Sequence, residues 1–124
     1  MSGFIEKVVG DIGDKKRWRE YKRRAKALPV GYADAVEALE RYLMYRGAVT
    51  KGDTLVSMLE ELADVFERAA SDGTPVRGVV GDDPVRFADD FLAKYAEGEW
   101  IDKERKRLVE AIARAEAENG SGRS

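Results

Sequence analysis

Apolar residues recur along this chain at steps of three and four rather than two, a spacing that predicts helices almost throughout. Phe4, Ile5, Val8 and Val9 mark a short amphipathic lead-in over Gly3 to Val9 that ends near Gly10 and Gly13. Asp14 is the expected N-cap of a helix reaching about Leu28, with Trp18, Tyr21, Ala25 and Leu28 as its apolar stripe. Pro29 and Gly31 then break the chain. Tyr32, Ala35, Val36, Leu39, Tyr42 and Leu43 predict a third helix that stops at Gly47, before the loop AVTKGD. Asp53 or Thr54 is expected to cap a fourth, which carries Leu55, Leu59, Leu62, Val65, Phe66 and Ala69 on one side and ends at Gly73.

Beyond Gly73 the pattern changes. TPVRGVVG holds the one short β-branched run, Val76 to Val80, which is too isolated to build a sheet and reads as an extended connector. Gly81-Asp82-Asp83-Pro84 is a helix start: an Asp side chain accepts from free backbone N–H groups, and proline pre-sets φ for the first turn. The fifth helix has Phe87, Ala88, Phe91, Leu92 and Tyr95 as its core face and closes at Gly98. Asp102 is expected to cap a last helix lined by Leu108, Val109, Ile112 and Ala115. The fold class expected is all-α, a compact bundle or superhelix of five or six helices, with one domain over residues 1–118 and a disordered tail over 119–124.

Composition narrows the chemistry by what is missing. The 124 residues include no histidine and no cysteine, which removes the usual neutral-pH base, the commonest transition-metal ligands and the thiol nucleophile. No catalytic residue, cofactor or metal is therefore expected, and the residues argue against a conventional enzyme. No apolar run is long enough to span a bilayer and nothing resembles a signal peptide, so a cytosolic location is the expectation.

Charge redraws the picture more than the net value of -2 suggests. Residues 1–31 hold nine Lys and Arg against four Asp and Glu, whereas residues 32–99 hold seven against fifteen. The densest run, Lys15 to Lys26, contains Lys15, Lys16, Arg17, Arg19, Lys22, Arg23, Arg24 and Lys26 with Glu20 as its one acid. Such a helix either meets the phosphates of a nucleic acid or pairs with the acidic helices of its own fold. Lys103, Lys106 and Arg107 could extend a DNA contact. Glu60, Glu61, Asp64, Glu67, Asp89 and Asp90 form the complementary acidic set, for which a solvated or paired role is expected over metal binding. Most aromatics sit at core spacing. Tyr45 and Trp100 lie near expected helix ends, where a half-exposed ring can anchor a partner. The loop GAVTKG from Gly47 lacks both the phosphate-loop spacing and a preceding strand.

Three segments carry a family likeness: W-x-x-Y-K-x-R-x-K-A-L-P from Trp18 to Pro29, GDDPVRFADDF from Gly81, and W-I-D-K-x-R from Trp100 to Arg105. In these the chain resembles the small bacterial family called domain of unknown function 1048, over roughly residues 4–116. The resemblance implies an all-helical fold arranged as a left-handed superhelix. It also implies an accessory protein, since members are often encoded beside PadR-like transcription regulators. Some members are labelled DNA-binding and ferritin-like, but an oxidation centre built with histidine does not carry over to a chain without it. The expected function is a non-catalytic protein-interaction module linked to a PadR-like regulator, with Arg17, Arg19, Lys22, Arg23, Arg24, Lys26, Tyr45 and Trp100 as candidate contacts. DNA binding through the basic helix is the alternative, and a homodimer is compatible with either.

Overall fold

A computed structural model describes residues 12–122, without the side chains of residues 121 and 122. It contains five helices: α1 (Ile12–Ala27), α2 (Val30–Arg46), α3 (Gly52–Asp72), α4 (Val76–Val80) and α5 (Pro84–Gly122). Among the described residues there is no strand, so the all-α expectation holds. The lead-in expected over Gly3 to Val9 lies outside them.

The core is organised around α3. Leu55, Val56, Met58, Leu59, Leu62, Ala63, Phe66 and Ala69 are all buried, a band wider than a single stripe because α1, α2, α4 and α5 each pack against this helix. Into the same cluster α1 sends Tyr21 and Ala25, α2 sends Val36, Leu39 and Leu43, and α5 sends Ala88, Phe91 and Leu92. Truncating any of the fully buried leucines of α3 to alanine should cost about 2–5 kcal/mol. No side-chain polar atom of the described residues is buried without a partner.

The chain breaks have identifiable causes. α2 begins directly after Pro29, whose carbonyl accepts the N–H of Ala33 at 2.9 Å. α3 ends at Gly73, which takes the left-handed conformation at φ 74°. There Thr74 N–H donates to Ala69 O and Gly73 N–H to Ala70 O, a paired closure that satisfies carbonyls left free by the last turn. Tyr32 donates its hydroxyl proton to Thr74 O at 2.6 Å, which fastens this end of α3 to the start of α2.

Four expectations are corrected. The extended connector is the helix α4. Val76, Val79 and Val80 all pack on the core, and their i, i+3, i+4 spacing satisfies a helical turn as well as it suggests a strand. Pro75 sets the entry to that turn, and Arg77 closes it by donating to the carbonyls of Gly81 and Asp82. Second, α3 starts at Gly52 after Lys51, so neither Asp53 nor Thr54 is its cap; the Asp53 carboxylate instead accepts the N–H of Thr54 at 2.8 Å. Third, Asp14 lies inside the first turn of α1, 3.7 Å from Arg17, where its charge favours the helix N-terminus.

The largest correction concerns α5. Gly98 does not end a helix and Asp102 does not begin one: a single helix of 39 residues runs from Pro84 to Gly122. A glycine inside a helix costs roughly 1 kcal/mol relative to alanine. The strong helix formers that follow, with the pairs Asp102–Arg105 at 3.7 Å and Glu104–Arg107 at 2.9 Å, outweigh that local cost. The helix also continues through Asn119 into the segment for which composition suggests a tail.

Candidate interaction surfaces

The basic helix is largely occupied by its own fold. α1 and α3 lie side by side with their cations and carboxylates in register. Arg17 donates to Glu60 at 2.6 and 3.1 Å and to Ser57 Oγ at 2.9 Å. Two turns further along the same face, Arg24 forks onto Glu67 at 2.7 and 3.0 Å and also reaches Asp64. Two planar guanidinium forks on carboxylates are the strong form of this contact. They raise the pKa of Arg17 and Arg24, chiefly through the hydrogen bonds to Glu60 and Glu67. Arg23 pairs with Glu20 on α1 itself, and that contact lowers the Glu20 pKa.

On the other flank, Glu40 of α2 collects two donors. Buried Tyr21 gives it a hydroxyl hydrogen bond at 2.9 Å, and Lys22 gives an ammonium contact at 3.1 Å. Burial pushes the Tyr21 pKa up, and the neighbouring Glu40 charge and hydrogen bond push the same way. Trp18 stacks at an angle on Tyr21, with the Lys22 ammonium 5.3 Å from its ring centre. Of the six cations singled out on α1, Arg19 and Lys26 remain exposed and make no ion pair among the described residues.

The acidic set is likewise divided among partners. Glu60, Asp64 and Glu67 serve α1. Glu61 accepts from Lys94 and Tyr95 of α5, and Asp89 accepts from Tyr42 at 2.7 Å and Arg46 at 2.6 Å. No group of three or more potential metal-ligating side chains occurs among the described residues. An apolar cleft of about 300 Å³ lies between α2, α4 and α5, lined by Leu39, Tyr42, Val76, Val80, Val85 and Ala88. Among the described residues Arg77 is its one charged neighbour, and no acid and base of these residues converge there.

Tyr45, at the end of α2, is 83% exposed, and Trp100 is 59% exposed. They differ in context. Tyr45 stands singly, whereas Trp100 opens a continuous surface. Every residue from Trp100 to Gly120 is exposed, so the second half of α5 projects from the bundle as an arm. At 1.5 Å per residue it extends about 30 Å. Ile101, Leu108, Val109 and Ile112 are all exposed on it, Leu108 by 62%. Ile101, Leu108, Ile112 and Ala115 fall at steps of seven, four and three, which places them on one face of the helix.

The root of the arm is held by a residue the sequence reading does not single out. Glu99 is only 3% exposed. Its carboxylate accepts the N–H of Thr50 at 3.1 Å, the N–H of Lys51 at 3.0 Å and the hydroxyl of Thr50 at 3.0 Å. It thus supplies an anion at the α3 N-terminus, where Lys51 makes no side-chain cap of its own. The signal for Glu99 is its place seven residues after Leu92 and three after Ala96, on the buried face of a helix read as continuous through Gly98.

A search of curated proteins finds no match. A family model described as "Protein of unknown function (DUF1048)" matches residues 9–113, which takes in α1 to α4 and the root and first part of the arm. The match spans most of the chain, and the protein belongs to that family.

Proposed function

We propose that this protein is a non-catalytic interaction module whose contact element is the arm of α5. The observation that carries the reading is the apolar face from Ile101 to Ala115, exposed on a helix rooted in the core through Glu99. In folded proteins most helical stability comes from packing of an amphipathic face, and an apolar stripe left exposed on a projecting helix favours docking against another surface. A protein partner fits such a face better than a nucleic acid does. A PadR-like transcription regulator is the partner class the family resemblance suggests.

The alternative DNA reading loses support because Arg17, Lys22, Arg23 and Arg24 are already engaged with carboxylates. The test is a pull-down of the PadR-like regulator encoded nearest to this protein, with the wild type and with Leu108→Glu/Ile112→Glu. Capture by the wild type and loss in the variant is the expected result. Equal capture by both would remove the arm from the contact.

A further inference from the structure

We propose that the arm pairs antiparallel with the arm of a second copy of this chain, with the two-fold axis close to Leu108. The inference rests on the arm being a contact element and goes on to name its occupant.

Two independent patterns share one midpoint. The apolar face places Ile101 seven residues before Leu108 and Ala115 seven after it, so reversing the helix about Leu108 exchanges those two positions and returns Leu108 to itself, while Ile112 comes level with Glu104. Antiparallel pairing puts Ile101 against Ala115 of the second copy, and Leu108 against Leu108. An isologous contact requires this self-complementarity.

Charge divides at the same point. From Asp102 to Arg107 the arm carries Lys103, Arg105, Lys106 and Arg107 against Asp102 and Glu104, a net +2. From Leu108 to Glu118 it carries Glu110, Glu116 and Glu118 against Arg114, a net -2. Antiparallel copies bring each basic half beside an acidic half, whereas parallel copies bring like halves together. At 100° per residue Arg105 and Glu116 share one flank of the stripe, and Glu104 and Arg114 lie on the other. In an antiparallel pair residues of like flank lie on the same side of the seam, so Arg114 comes within about 3 Å, along the axis, of Glu104 of the second copy, and Arg105 lies about 7.5 Å along it from Glu116.

The four charged residues beyond Leu108 make no ion pair among the described residues, which leaves the acidic half free for this use. Within one copy nothing competes for the stripe among the described residues, since no residue from Trp100 to Gly120 is buried.

The chain has no cysteine, so single engineered cysteines give an unambiguous readout. Sedimentation equilibrium should show a wild-type dimer, weakened at least about 100-fold by Leu108→Glu/Ile112→Glu. Under mild oxidation Leu108→Cys should cross-link with itself. Ile101→Cys should cross-link with Ala115→Cys but not with itself, because two copies of position 101 lie about 21 Å apart along the axis of an antiparallel pair.

Self-cross-linking of Ile101→Cys would overturn the antiparallel arrangement, and a wild type that stays monomeric at about 100 μM would overturn pairing altogether. A monomer whose arm still captures the regulator would keep the interaction reading and assign the stripe to that partner. A monomer that dimerises only after removal of residues 1–11 would assign the stripe to that segment. A monomer that does neither would end both readings.

Discussion

The carboxylate of Glu99 accepts the backbone N–H of Lys51 at 3.0 Å, so the helix that leaves the bundle is fastened to the start of the helix at its centre. This one side chain links the root of the arm, the loop after α2 and the N-terminus of α3. A carboxylate that accepts two backbone N–H groups and a hydroxyl while buried is a charge-assisted contact of the stronger kind.

Replacing Glu99 with alanine leaves the N–H groups of Thr50 and Lys51, which are part-buried in these contacts, without that acceptor. The expected cost is about 2–3 kcal/mol. Glu99→Gln retains an acceptor oxygen but loses the charge, and should fall between alanine and the wild type. Urea unfolding of the three proteins checks this. An alanine variant as stable as the wild type would mean that water replaces the carboxylate without loss.

Tyr21 predicts a distinct alkaline behaviour. Its folded-state pKa is raised by burial and by Glu40, above the ordinary value of about 10 for the unfolded chain. The neutral phenol is favoured in the fold, so its contribution to stability is whole below about pH 10. As pH rises further the unfolded state loses the proton first, and stability falls by up to about 1.4 kcal/mol per pH unit. Tyr21→Phe should cost about 1 kcal/mol at pH 7, through the lost hydrogen bond, yet flatten this part of the decline. Unfolding measured at pH 7, 9.5 and 10.5 separates the two effects, and an equally steep fall in the variant would assign the alkaline limb to other groups.

The basic helix predicts a weak response to nucleic acid. With Arg17 on Glu60 and Arg24 on Glu67, neutralising phosphates would first require breaking pairs within the fold. Anisotropy of a labelled duplex should show at most a shallow titration at about 50 mM salt and none at 200 mM, the span over which phosphate contacts lose most affinity. Tight binding that Arg19→Ala/Lys26→Ala abolishes would restore the DNA reading, because those two candidates on α1 make no ion pair among the described residues.

What was legible in the sequence follows from how local each determinant is. The stripes of α1, α2 and α3 and the stops at Gly47 and Gly73 depend on spacing and on a left-handed residue, and both can be read from a few neighbouring positions. The α5 start at Asp83-Pro84 is equally local, with Asp83 accepting the N–H of Arg86 at 3.1 Å. α4 was hidden because three valines favour an extended chain until the core selects the i, i+3, i+4 face. The role of Glu99 was hidden because its partners, Thr50 and Lys51, are 49 and 48 positions away. Charge was half legible: the opposed basic and acidic segments were plain, but only the parallel packing of α1 on α3 shows which cation meets which carboxylate.

Gly98 is the most direct probe of the arm. It lies inside α5, and a Cβ built there meets nothing within 4 Å. Gly98→Ala should therefore stabilise the protein by about 0.5–1 kcal/mol, because alanine loses less backbone freedom on entering a helix. A true helix end closed by glycine would respond in the opposite direction, since alanine resists the left-handed conformation such an end uses. Gly98→Pro removes the N–H that closes this turn and crowds the carbonyl of Lys94, at a cost of about 3 kcal/mol. Proline should kink or break α5 at the root of the arm, while alanine leaves it continuous. Thermal unfolding and far-ultraviolet circular dichroism of the two variants give a sign as well as a size: stabilisation by alanine with loss of helicity by proline supports one helix through position 98, and destabilisation by alanine would return the boundary to Gly98.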